Sequence, residues 1–165
     1  MKKWILPLLA ALLTAVSCGV LGETREERTA REAQEAQMVH ENVQAGDFII
    51  DIDRMLPLRG PSRHVNTYSV RVKDGVLTSY LPFIGQAWRV PYGGGHALNF
   101  TADIGRYSVI PLAKGGYEVR IYVKTDEDEH LYLFTIFDNG NTSLDVQSGN
   151  RDRISYTGRM DFYSE

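Results

Sequence analysis

The alternation of apolar and polar residues changes period once along this chain, near Asp47. Before that point Ala33, Ala36, Val39 and Val43 recur at helical spacing, with His40 inside the same stripe. Such a stripe belongs to a helix that buries one face. Thr24-Arg25-Glu26-Glu27 reads as a capping box, in which the threonine hydroxyl and the glutamate carboxylate each satisfy a free backbone donor. Glu27–Arg31, Arg28–Glu32 and Arg31–Glu35 are i,i+4 pairs that support an exposed helix, and Gly46 is a natural stop. The pattern predicts a helix over about Arg25 to Ala45, its first half a solvated spacer and its second half docked.

After Asp47 the period becomes two. Phe48, Ile50 and Ile52 alternate with Ile49, Asp51 and Asp53, which predicts a first strand. Tyr68, Val70 and Val72 predict a second, and Asp74-Gly75 a tight turn that pairs Lys73 with Val76 and Val72 with Leu77. Tyr68, Val70, Val72, Leu77 and Leu81 then share one face. A second tight turn at Asn139-Gly140 places Thr142 opposite Phe137, Leu144 opposite Thr135 and Val146 opposite Leu133. Leu131 to Phe137 is apolar on both faces, so it is expected to be central or covered by the helix. Further strands are expected at Leu98–Thr101, Arg106–Pro111, Tyr117–Lys124 and Ile154–Phe162, with Gly158 marking a bulge or bend. The expectation is a mainly β domain of about nine antiparallel strands, a meander closed as a barrel or folded as a sandwich.

The first residues change the picture of where this domain works. Lys2 and Lys3 precede an apolar run, Trp4 to Val16, that is short for a membrane span and ends in Ala15-Val16-Ser17-Cys18. Cys18 is the only cysteine in 165 residues. The leader resembles a bacterial lipoprotein signal, cut before a cysteine that is then lipidated; ordinary secretory cleavage nearby is the alternative. The chain accordingly divides into a signal peptide (1–17), a tether with the helix (18–46) and an antiparallel β domain (47–165). Loss of the leader removes two lysines and takes the net charge from −3 to −5. An acidic chain of this kind argues against a nucleic-acid partner. The expected partners are a membrane, through lipidated Cys18, and a ligand or envelope protein.

Several segments together resemble a known family: the leader, Phe48-Ile49-Ile50-Asp51, Ser79-Tyr80-Leu81-Pro82-Phe83-Ile84-Gly85, Pro91-Tyr92-Gly93-Gly94, Lys114-Gly115-Gly116-Tyr117 and Thr135-Ile136-Phe137-Asp138-Asn139-Gly140. The chain is similar to a set of uncharacterised bacterial lipoproteins, the domain-of-unknown-function family 4251. The resemblance covers nearly all of the chain after Ala45. It implies a cell-envelope location in a Gram-negative bacterium and carries over no functional residue; with the lipidated leader, the expected place is the outer membrane, facing the periplasm or the cell surface.

Little in the sequence announces chemistry. No Gly-x-Ser-x-Gly elbow is present, and the histidines His40, His64, His96 and His130 never fall at zinc-ligand spacing. No cofactor, metal or catalytic residue is assigned. Asp126-Glu127-Asp128-Glu129 reads as a solvated hairpin tip rather than a calcium site. The exception to this blandness is Leu81 to His96, far longer than a hairpin needs. It carries Phe83, Gln86, Trp88, Arg89, Tyr92 and His96, and the loop from Leu56 to Asn66 adds Arg59 and Arg63. Aromatic faces beside hydrogen-bonding groups suit sugars, peptides or protein surfaces. The alternative is that these loops only cap one open end of the barrel. The leading expectation is a non-enzymatic envelope lipoprotein that binds a ligand or partner. A glycan-active enzyme and a structural accessory of an outer-membrane complex are the other readings.

Overall fold

The computed structural model describes residues 24–89 and 95–162. One helix, α1 (Arg25–Ala45), precedes eight strands: β1 (Phe48–Pro57), β2 (Arg63–Lys73), β3 (Val76–Tyr80), β4 (Asn99–Pro111), β5 (Tyr117–Lys124), β6 (Glu129–Ile136), β7 (Asn141–Ser148) and β8 (Arg151–Asp161). Each strand pairs antiparallel with the next, and β8 pairs with β1, so the sheet closes into a barrel rather than a sandwich. Among the described residues no helix is long and apolar enough to cross a membrane.

Alternation fills the barrel. Ile50, Val72, Leu77, Ile121, Phe134, Leu144 and Tyr156 point inward and are buried. Closing the sheet turns one face of every strand inward, so each contributes apolar side chains to a single core. Gly158 is required where β1 crosses close to β8: a Cβ there would lie 2.0 Å from the Asp51 carbonyl oxygen. The extra residue of the neighbouring bulge is Asp53 of β1, between Ile52 and Arg54.

Eight strands stand where nine were expected because the segments expected at Leu98–Thr101 and Arg106–Pro111 fall, all but Leu98, in one strand, β4. Gly105 is an extra residue between Ile104 and Arg106, a bulge that bends β4 without ending it. The second correction concerns register. Asp74-Gly75 is the expected two-residue turn, with both φ angles positive (52° and 76°) and Lys73 opposite Val76. At Asn139-Gly140 the loop has three residues, Asp138 to Gly140. The Gly140 N–H donates to the Phe137 carbonyl, the Phe137 N–H donates to the Asn141 carbonyl, and Gly140 is left-handed at φ 78°. Thr142 therefore faces Ile136, Leu144 faces Phe134 and Val146 faces Tyr132. A slip of one residue exchanges the faces of a strand. Thus His130, Tyr132, Phe134 and Ile136 line the interior, while Leu131 and Leu133 lie half-buried outside beside Tyr122 and Arg120.

The helix closes one end of the barrel instead of covering a face. Its capping box forms as read, with the Thr24 side chain accepting from the Glu27 N–H and the Glu27 carboxylate from the Thr24 N–H. Gly46 ends it in the left-handed conformation. Residues 25–34 are exposed all round, whereas Val39 and Val43 are buried against the core. The Tyr107 hydroxyl donates to the Val43 carbonyl at 2.6 Å, and His40 Nδ1 and the Tyr117 hydroxyl share a hydrogen bond of 2.6 Å. Burial pushes the Tyr107 hydroxyl up to about 12, so it stays a donor to that carbonyl at any physiological pH. The turns after β2, β4 and β6 lie at this helix end. The 81–98 loop and the turns after β1, β5 and β7 lie at the other, the loop end.

Candidate binding site at the loop end

The loop leaving β3 is bound to the barrel rim almost entirely through its backbone. Leu81 donates to Asn99 Oδ1 at 2.9 Å, and the Pro82 carbonyl accepts from the Tyr156 hydroxyl at 2.6 Å. Gln86 and Asp152 exchange two bonds: the Gln86 N–H to Asp152 Oδ2 at 3.0 Å, and the Asp152 N–H to the Gln86 carbonyl at 2.8 Å. Ala87 bridges to Arg151, and the Trp88 N–H donates to the Asn150 carbonyl at 2.8 Å. Backbone bonding of this kind is indifferent to side-chain identity, so it leaves the side chains of the segment available for other uses.

Beneath the loop sits a buried set of charges. The Arg151 side chain is 5% exposed, pairs with Glu127 at 2.9 Å and lies 3.9 Å from Asp128. Its guanidinium also stands over the Phe83 ring, 5.9 Å from the centroid. Asp128, with a side chain 2% exposed, accepts from the Glu129 and Asn150 N–H groups and from Asn150 Nδ2. The acidic run expected as a solvated tip is thus half structural: Asp126 and Glu129 are exposed, while Asp128 ties the turn after β5 to the turn after β7.

His130 lies next to this cluster, 2% exposed and stacked on Phe100 at 4.8 Å. Its Nδ1 is 2.8 Å from Ser148 Oγ, and its Nε2 has no hydrogen-bond partner. Desolvation holds its pKa below the usual histidine value, with Arg151 pushing the same way against Asp128 and Glu127. A neutral imidazole beside a serine has the spacing of a base and nucleophile. Here no carboxylate holds the other ring nitrogen, as a catalytic triad requires. Among the described residues no group of three or more histidine, cysteine, aspartate or glutamate side chains is placed to hold a metal ion.

One open feature of this end is a groove of about 480 Å³ lined by residues 96, 97, 100–103, 105 and 124–127. It exists because β4 changes partner along its length. Asn99–Asp103 pair with β3, whereas β5 joins β4 only from Ile104 onward and then turns away at Thr125. The wall is therefore split at this point. Phe100 and Ala102, which alternation sends to the interior, are only half-buried.

Of the residues singled out from the sequence, His96 alone lines the groove, and its N–H donates to Glu127 Oε1 at 3.0 Å. Phe83 is half-buried against Arg151, and the Gln86 backbone holds the loop. Trp88 is 65% exposed on the rim, with Arg89 exposed beside it. The loop expected from Leu56 to Asn66 shortens to residues 58–62, because β1 runs on to Pro57 and β2 begins at Arg63. Arg59 is exposed in that turn, Arg63 is exposed on β2, and neither lines the groove. Tyr92, like Cys18 and the whole leader, lies outside the described residues. Phe100 and Asp103 are not among the residues singled out from the sequence, and Asp126 figures there only in the acidic run. Gly105 was the available signal, as a glycine inside a strand pattern marks a bulge where pairing changes.

No curated protein matches the chain. Among solved structures it is similar to a crystal structure of a DUF4251 family protein from Bacteroides eggerthii DSM 20697. The TM-score is 0.61 at 16% identity, over 79% of this chain and 89% of that one, which establishes a shared fold. The family profile described as "Domain of unknown function (DUF4251)" matches residues 30–160, and on that extent the chain belongs to the DUF4251 family.

Proposed function

We propose that this protein is a non-enzymatic cell-envelope lipoprotein, tethered through Cys18, that binds a ligand or partner protein at the loop end of its barrel. The observation that carries the reading is the opposition of the two ends. The chain enters through a helix whose first ten residues are solvated, about 15 Å of spacer at 1.5 Å per residue. That helix seals one end with apolar contacts, and the groove and the exposed Trp88 lie at the other. A tether at the helix side would point the loop end away from the membrane. The buried charges beneath the loop, Arg151, Glu127 and Asp128, are spent on each other and on backbone donors, which suits a rigid recognition surface better than a reacting site.

The tether is tested by metabolic labelling with a fatty-acid analogue in a Gram-negative host. The wild-type chain is expected to incorporate label and sediment with membranes, and Cys18→Ser to do neither. Equal labelling of both chains would remove the lipoprotein half of the proposal.

A further inference from the structure

We infer that the groove at the split between β4 and β5 receives an extended, basic peptide segment, which adds to β4 as an extra strand. The inference rests on the reading of the loop end as a binding face and names the class of partner. Three observations bear on it independently.

The first is the backbone. The Ile104 N–H donates to the Gly75 carbonyl, so in this part of β4 the even-numbered residues turn their backbone groups toward β3. Hydrogen-bonding direction alternates along an antiparallel strand, and Thr101 therefore turns its N–H and C=O the other way, into the groove. No described strand pairs with Asn99–Asp103 on that side. An unpaired strand edge is a template for another strand, and proteins that do not use such an edge cover it or blunt it.

The second is the alternation of the lining. Phe100 and Ala102 lie on the inner side of the groove, while Thr101 and Asp103 lie on the outer side. A strand laid beside β4 places successive side chains against these two rows in turn, apolar against Phe100 and Ala102, polar against Asp103.

The third is charge. Of the ionised groups around the groove, Lys124 is paired with Glu129 at 2.7 Å and Glu127 with Arg151 at 2.9 Å. Asp103 and Asp126 have no ion pair among the described residues, so the charge the groove offers an incoming chain is negative. A segment that alternates basic and apolar residues satisfies the backbone edge, the two rows and the charge together.

The probe is the fluorescein-labelled heptapeptide KVKVKVK, titrated by anisotropy against the full chain in detergent. EVEVEVE and two N-methylated forms, one for each alternate set of residues, complete the series. KVKVKVK is expected to bind, and EVEVEVE to bind about tenfold or more weakly, since like charges oppose docking. One N-methylated form is expected to lose about tenfold and the other to bind nearly as the parent, because only one edge of a strand can face β4. The double variant Asp103→Lys with Asp126→Lys changes only exposed side chains and is expected to invert the preference to EVEVEVE. Equal binding of both N-methylated forms, an unchanged preference in the double variant, or no binding of KVKVKVK would each overturn the inference. None of these results touches the broader reading of the loop end, which stands or falls on contacts made there in cells.

Discussion

The helix end and the loop end of this barrel are both closed, by different physics. At the helix end the closure is apolar: Val39 and Val43 enter the core, and two tyrosines meet the helix through the Val43 carbonyl and His40. At the loop end the closure is polar, made of main-chain bonds to residues 150–152 and of Arg151 between two carboxylates. Apolar closure is non-directional and tolerant of exchange, whereas buried charges are costly as soon as one partner is removed. Here they tie down the turns after β5 and β7, and Glu127 also accepts from the His96 N–H at the wall of the groove. The end built at greater risk to stability is the end that presents unpaired groups to solvent.

Three perturbations separate the two ends, in falling order of effect. Arg151→Ala leaves Asp128 and Glu127 without their counter-charge and is expected to cost about 3 to 5 kcal/mol. The amides of Gln86, Trp88 and Asp152 should lose protection in native-state hydrogen exchange ahead of those in α1. Val43→Ala removes two buried carbons at about 0.8 kcal/mol each, roughly 2 kcal/mol with the cavity, and should free the last turns of α1 while the loop-end amides keep their protection. If either variant loosened both ends equally, the two closures would be one cooperative unit and the contrast would fail.

The third perturbation is pH. The pKa of His130 is depressed in the folded state by desolvation, so the unfolded chain binds the proton more readily. Its contribution to stability is complete above the unfolded histidine value of about 6.5 and is lost as pH falls through that value toward the folded one, with a slope of at most about 1.4 kcal/mol per pH unit. Thermal melts from pH 8 to pH 5 should fall more steeply for the wild type than for His130→Phe, which keeps the stack on Phe100. Parallel curves would show that this histidine carries no such penalty.

What could be read from the sequence was local. Asp74-Gly75 declared its turn because the two residues that take positive φ are adjacent, and the helix declared both caps because Thr24 with Glu27 and the left-handed Gly46 act within a few residues of its ends. Asn139-Gly140 misled because the same dipeptide closes either a two- or a three-residue loop. One residue of register then decided whether Tyr132 or Leu133 lay in the core. The burial of Asp128 depends on Asn150, and the groove depends on where β5 leaves β4; neither has a signature in any short window. The long 81–96 segment was recognisable as unusual from its length and aromatic content. Which of its side chains stay free was decided by main-chain bonds that no side-chain pattern encodes.

The proposed function requires contacts at the loop end and not at the helix end. A photo-crosslinking amino acid placed at Trp88 or Asp126, and separately at Lys114 or Asp138 by the turns beside the helix, tests this in intact cells that make the protein. With adducts read by intact mass, the loop-end positions are expected to yield a discrete adduct that is absent from the helix-end positions. The same adduct arising from Lys114 or Asp138, with none from Trp88 or Asp126, would put the contacts at the helix end and contradict the proposed function.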